Sequence, residues 1–321
     1  MKAIVHQKYG LPDVLEFVEI EKPAPKDDEV LIKVRASSVN AAEWHGMTGL
    51  PISRLLGGGL FKPKDIRLGV DFSGVVERLG KDRTDFKIGD EVFGARSGAY
   101  AEFVSVKNII IPKPKNISFE EAASVPTAAI TALQGLRDYG KIQAGQKVLI
   151  NGASGGVGTF AIQIAKAFNT EVTAVCSTKN VEMAKSLGAD FVIDYSKQDF
   201  TLLDKKFDLI LDIAGTKSWR EYKRIMKPEA QYVIVGAQKS TGLIGPLKHV
   251  IKIKLSAWRE KIKPAFFIAK FDKADMTLLK EMLESGAVKA CVEKVYPLEK
   301  TADAMRRFGE GHVQGKIVIR M

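Results

Sequence analysis

The sequence predicts an α/β chain made of a small β-barrel and a doubly wound parallel sheet of Rossmann type. Three observations predict it. The first ~115 residues read as strands and turns, regular and short. From about Ser118 strands alternate with helix-length amphipathic stretches, the pattern of a parallel sheet with helices on both faces. A glycine-rich turn, Asn151 to Gly158, follows one of those strands and opens a helix.

In chain order, Val30–Val34, Gly74–Glu77 and Tyr100–Val104 are expected barrel strands. Lys22-Pro23-Ala24-Pro25, Gly80-Lys81-Asp82 and Ile88-Gly89-Asp90 are the turns around them. Pro112-Lys113-Pro114 closes this part, so residues 1–117 form a first segment. The second segment, 118–270, holds expected strands at Val148–Asn151, Glu171–Cys176, Phe191–Ile193, Phe207–Asp212 and Gln231–Gly236. Its end, 243–270, is basic, with Leu247, Val250, Ile251, Lys254 and Trp258 at helical spacing. The tail, 271–321, carries a helix over Ala274–Glu284, a strand, a shorter helix and a closing strand at Gly315–Ile319. That last strand is expected to pair back into the barrel and make it discontinuous.

Composition bounds the function. The 321 residues are 45% hydrophobic and 27% charged, which is ordinary globular usage and excludes a disordered or low-complexity chain. There are 49 basic and 38 acidic residues, a net +11 that permits anionic ligands. Two cysteines exclude a disulfide framework and any four-cysteine zinc module. The opening Met1–His6 reads as a strand and not as a targeting peptide, which predicts a reducing, cytoplasmic setting. No stretch approaches the ~18 apolar residues of a membrane helix.

In Asn151-Gly152-Ala153-Ser154-Gly155-Gly156-Val157-Gly158 each spaced glycine has a task. Gly152 permits the tight turn, Gly155 lets backbone approach a pyrophosphate, and Gly158 lets the helix pack on the strand. Ser154, Gly156 and Val157 complete the loop, and the helix start offers amides to phosphate. The helix carries Val157, Ala161, Ile164, Ala165 and Phe168 as one apolar stripe. An NAD site usually has a carboxylate about 20 residues on, at the end of the second strand. Here that strand ends Cys176-Ser177-Thr178-Lys179-Asn180. Ser177, Thr178 and Lys179 suit a 2′-phosphate, so NADP(H) is the expected cofactor.

Several runs resemble the medium-chain dehydrogenase/reductase superfamily, and more narrowly its zinc-free quinone oxidoreductase-like branch. They are Gly145 to Thr159, Ser186 to Tyr195, Ser38-Val39-Asn40-Ala41-Ala42-Glu43, Leu68 to Gly74, Gly89 to Gly94, Ala123-Ser124-Val125-Pro126, Thr131-Ala132 and Gly315-Lys316. They span the whole chain in order. The resemblance implies a GroES-like barrel as the catalytic domain and a Rossmann cofactor domain. It also implies three zinc-ligand positions, occupied here by Asn40, Val70 and Thr127. Valine cannot ligate, the four-cysteine lobe is missing, and Asp71 and Glu43 read as two scattered carboxylates. No metal is expected.

A nicotinamide cofactor without a Lewis acid suits quinones and α,β-unsaturated carbonyls, which take hydride at an electron-poor carbon. By resemblance Asn40 is expected to contact the nicotinamide end, and its amide can donate and accept. His45 stands where similar reductases carry a tyrosine and is a candidate proton donor. A hydroxyl of Thr127 or Thr131 is expected at the ribose or nicotinamide. Ala214 and Gly236 end strands and should border the cofactor. By resemblance Tyr195 flanks the 2′-phosphate, and Lys316 is placed near the phosphates. The remaining histidines, His6, His249 and His312, show no metal spacing.

The basic 243–270 segment reads as a lid or subunit-contact helix with solvated lysines, so membrane contact is not expected. No nucleic-acid module is present. A homodimer acting on a small quinone or enone is the expectation. The rivals are an alcohol dehydrogenase of the same superfamily and an NADPH-binding sensor or scaffold without turnover.

Overall fold

The computed structural model describes residues 1–51, 54, 58–236 and 247–321. The chain divides into two compact units. The first is Met1–Ala128 with Phe271–Gly286 and Ala290–Met321; the second is Ala129–Lys270 with Ala287–Lys289. The sequence boundary after residue 117 therefore falls inside the first unit.

The first unit opens with a two-stranded ribbon, β1 (Lys2–Val5) against β2 (Glu16–Glu19). β3 (Val30–Ser38) leads into α1 (Ala41–Thr48). β4 (Asp71–Leu79), β5 (Glu91–Ala95), β6 (Phe103–Val106) and β7 (Ile110–Pro112) follow. β6 starts later than Tyr100, where a strand was expected. Tyr100 instead lies fully buried, with its amide donating to Leu68 O at 3.0 Å. α2 (Phe119–Ala123) is set by a capping box, in which Ser118 Oγ accepts from the Glu121 amide and the Glu121 carboxylate accepts from that of Ser118. α3 (Pro126–Gln134) crosses the division between the units.

The second unit has β8 (Lys147–Asn151), α4 (Gly156–Ala167), β9 (Glu171–Cys176), α5 (Val181–Ser186), β10 (Phe191–Asp194), β11 (Phe207–Asp212), α6 (Trp219–Arg224), β12 (Met226–Ile234), α7 (Leu247–Ser256) and β13 (Ala265–Phe266). Its strands form one parallel sheet in the order β10-β9-β8-β11-β12-β13. The doubly wound arrangement follows from near-continuous apolar strands such as Val148–Ile150 and Leu209–Leu211, buried on both faces. β12 starts five residues before the expected Gln231, at Met226, and ends at Ile234.

The chain then returns to the first unit with α8 (Lys273–Glu284), β14 (Val292–Pro297), α9 (Thr301–Glu310) and β15 (Lys316–Arg320). The seven-stranded sheet runs β14-β15-β3-β4-β5-β7, with β6 also on β3. One edge of β3 is shared. Val30–Lys33 pair with β6, and Ala36–Ser38 pair with β15. The core beneath is Val30, Ile32, Val34, Phe72, Val76, Phe86 and Val92 with their neighbours. Because β15 pairs with the end of β3, and β4 begins across from it, three strand termini gather at one rim.

Candidate active site

That rim carries Asn40, Glu43, Asp71, Thr127 and Lys316. Asn40 is extended (φ −129°, ψ 167°) and caps α1, with Glu43 accepting from its amide at 3.0 Å. Asp71 starts β4 and is fully buried. Its Oδ1 accepts from the amide and hydroxyl of Thr127 at 3.0 and 2.6 Å. Its Oδ2 accepts from Ser38 Oγ at 2.8 Å and Asn40 Nδ2 at 3.0 Å. Lys316, at the start of β15, is buried. Its ammonium stands 3.7 Å from that carboxylate and donates to Val39 O at 3.0 Å and to Asn40 Oδ1.

A buried carboxylate and a buried ammonium persist only when paired and hydrogen-bonded, and both conditions hold here. Glu43 has the weaker share. Burial, and then the nearby Asp71 charge, push its carboxyl up to about 7. Burial also lowers the Lys316 ammonium, against the pull of Asp71 and Glu43. The Tyr100 phenol, whose OH donates to Ser38 O at 3.3 Å, is raised by burial and by the same two carboxylates.

Two expectations change. Lys316 is not placed for phosphate, because its ammonium is enclosed by protein acceptors. Asp71 and Glu43 are not scattered, since Asn40 Nδ2 reaches both, at 3.0 Å and 3.4 Å. The Asn40 amide is therefore committed at its nitrogen. Its Oδ1 accepts from Lys316 and faces the Glu43 amide in the capping box of α1. His45 lies two residues past Glu43 on α1, half-buried. Trp44 packs on Phe308 at 6.1 Å between ring centres and belongs to the apolar cluster with Met47 and Met305.

The second unit carries the other constellation, at the carboxyl ends of its strands. Gly152 adopts φ +89°, a backbone that L side chains rarely take. A Cβ on Gly158 would lie 2.3 Å from Gly152 O, so only glycine lets α4 start so close to the turn. Gly155 caps α4, and Ser154, Gly156 and Val157 are partly exposed around it. The first amides of α4 have no intrahelical acceptor, which fits a diphosphate. Ala214 lies on this turn, its amide donating to Asn151 O at 3.3 Å; Gly236 donates to Asp212 O at 3.3 Å. Ala237, its neighbour, is outside the described residues.

A buried polar knot holds that rim. Asp212 accepts from Asn151 Nδ2 and the Gly215 amide at 2.9 Å each and from the Tyr232 hydroxyl at 2.7 Å. His249 Nε2 stands 3.3 Å from it, a role its spacing did not suggest. Burial raises the hydroxyls of Tyr222 and Tyr232 well above the ordinary range, so both stay protonated.

Ser177, Thr178, Lys179 and Tyr195 come together beyond β9 and β10. Tyr195 N donates to Cys176 O at 3.1 Å, and half of its side chain is exposed. Asp194, which sequence reading passed over, also lies here and accepts from Thr178 Oγ1 at 2.6 Å. The Thr178 hydrogen bond leads in holding its carboxyl below the usual range. Thr131 lies on α3, within the second unit. Burial pushes the Cys176 thiol up to about 11, so it is an inert strand residue. Among the described residues no group of three or more His, Cys, Asp or Glu is placed to hold a metal ion.

A mixed sheet with a buried polar rim, together with a doubly wound sheet bearing a glycine turn, defines a nicotinamide-dependent oxidoreductase. The chain belongs to the medium-chain dehydrogenase/reductase superfamily, in its quinone oxidoreductase-like branch. An alcohol dehydrogenase GroES-like domain matches residues 26–115, and a zinc-binding dehydrogenase domain matches residues 187–319. The human mitochondrial NAD(P)H oxidoreductase RTN4IP1 is 35% identical over 100% of this chain and 89% of its own. The tomato (Solanum lycopersicum) 2-methylene-furan-3-one reductase is 34% identical over 99% and 79%. The solved quinone oxidoreductase of Coxiella burnetii has 31% identity and a TM-score of 0.86, covering 100% of this chain and 99% of its own.

Proposed function

We propose that the chain is an NADPH-dependent reductase that passes hydride to quinones or α,β-unsaturated carbonyls without a metal. The observation that carries the metal-free reading is the Lys316 ammonium, buried and bonded to Asn40. A fixed positive charge at that point repels a divalent cation, and one acceptor site of Asn40 is already taken. Val70 offers no ligand atom. The zinc-binding label of the matching domain is thus at odds with the residues present.

When bound, the nicotinamide supplies the hydride. The glycine turn and the α4 amides hold the diphosphate. Ser177, Thr178 and Lys179, with Tyr195 beside them, receive the 2′-phosphate. Asn40, held by Lys316 and Asp71, positions the nicotinamide end, and His45 on α1 is the candidate donor toward the acceptor oxygen. Two of the relatives are named for conjugated acceptors, a quinone and a methylene-furanone.

Asp194 favours a second reading, NADH. Its carboxylate beside Thr178 opposes a 2′-phosphate and suits ribose hydroxyls. The deciding experiment is cofactor oxidation, followed by nicotinamide absorbance, with quinones and enones, with and without EDTA, using NADPH and NADH in parallel. EDTA-resistant turnover preferring NADPH supports the proposal. EDTA-sensitive turnover overturns the metal-free part, and preference for NADH transfers the cofactor role to Asp194.

A further inference from the structure

α7 turns one apolar stripe inward and leaves a second one outward. Val250 and Ile253, with Ala257 just after the helix, are buried in the cluster under β12. Ile251, Leu255 and Trp258 face out, 44%, 67% and 65% exposed. The sequence spacing had grouped Val250 with Ile251 and Trp258 on one face, and the structure separates them. An outward apolar stripe is not explained by a helix that merely covers its own sheet.

The charge around that stripe has one sign. Lys248, Lys252, Lys254, Arg259, Lys261 and Lys263 are all exposed. The only acid between Lys248 and Lys263 is Glu260, and it pairs with Lys223 at 2.7 Å. The Arg259 guanidinium lies 4.7 Å from the centre of the Trp258 ring, an aromatic–cation pair with an apolar body and a wet edge.

We propose that the outer face of α7 and the following turn, Ile251, Leu255 and Trp258 within this ring of cations, docks the protein on an anionic lipid surface. The helix lies in the plane of the interface, with its apolar side chains entering the acyl boundary and its lysines reaching the headgroups. Charge selects this occupant over a second copy of the chain. A two-fold contact through α7 would set the same cations against one another, with the one acid of the stretch, Glu260, already paired to Lys223. The docking is separate from the reaction and does not depend on the identity of the acceptor.

The test uses the full-length protein and sedimentation with two kinds of vesicle. One is phosphatidylcholine containing phosphatidylglycerol, and the other is phosphatidylcholine alone. Binding is expected to the anionic vesicles, to weaken with added salt, and to be near absent on the neutral ones. Trp258 emission shifts to the blue on binding, and Trp258→Phe abolishes that shift. Lys248→Ala with Lys252→Ala weakens partitioning about thirtyfold, as two interfacial cations should. Ile251→Ser with Leu255→Ser weakens it at least tenfold and leaves turnover of a water-soluble acceptor unchanged. Equal binding to both vesicles overturns the proposal, as does binding indifferent to these substitutions. So does a dimer that Ile251→Ser with Leu255→Ser converts to monomer while vesicle binding persists.

Discussion

The Lys316 ammonium donates to the side-chain oxygen of Asn40 across 276 residues of sequence. This bond ties the first residue of β15 to the residue that caps α1. It fixes the amide of Asn40 so that its nitrogen points to Asp71 and Glu43.

Lys316→Met leaves Asp71 buried without its cation. Removing one partner of a buried pair costs about 3–5 kcal/mol, so the variant should unfold at distinctly lower denaturant. Lys316→Met with Asp71→Leu should recover part of that loss. Equal stability of wild type and Lys316→Met in urea titrations would show that the pair is not a structural element.

Glu43 makes stability depend on pH. Its folded-state value, about 7, lies above the ordinary 4.5. Between those values the native chain keeps a proton that the unfolded chain has released. The contribution is fully present below about pH 4.5 and is lost as pH rises through 7, a change on the order of 3 kcal/mol. Denaturant midpoints at about pH 5 and about pH 8 should therefore differ, and Glu43→Gln should flatten the difference. An unchanged slope in the variant would assign the effect elsewhere.

Much of the second unit was legible in the sequence, because parallel strands buried on both faces read as apolar runs and the glycine turn has a steric reason at each position. Glu171–Cys176 and Phe207–Asp212 occur as read. The rim of the first unit was legible only as pieces. Asp71 and Lys316 each stand at the start of a mostly apolar strand, a charge where burial is expected, but their pairing is set by strand order. No local pattern reports that β15 lies beside β3. Asp194 was missed because the carboxylate was sought at the end of β9, whereas it reaches Thr178 from the end of β10.

If Asn40 positions the reacting pair as proposed, Asn40→Ala should lower kcat about tenfold while the NADPH dissociation constant stays within about threefold. Parallel steady-state and fluorescence titrations separate the two. A large change in binding with kcat intact would make Asn40 a cofactor anchor only.

Gly158→Val forces a side chain onto Gly152 O, where even a Cβ would stand at 2.3 Å. The α4 start must move, and NADPH affinity should fall more than about tenfold, by a loss of over 1.4 kcal/mol. Calorimetric titration measures this directly, and wild-type affinity in a folded variant would place the diphosphate elsewhere.

Asp194→Asn removes the charge beside Thr178. The ratio of NADPH to NADH efficiency should rise about tenfold, mostly through KM for NADPH. A ratio that does not move would mean that this carboxylate does not sense the 2′ position.

The placement of β15 bears on how the chain is made. Its five residues are synthesised after the whole of the second unit, yet they bridge β14 and β3 within the first. The middle of the chain can fold on the ribosome as a unit while the barrel waits, its β3 edge unpaired from Ala36 to Ser38. Lys316 arrives with that strand, so Asp71 lacks its balancing charge until β15 has been made and paired. Premature termination within the last turn of α9 would thus release a chain with a formed nucleotide unit and an open barrel edge, a species that quality-control proteases should clear.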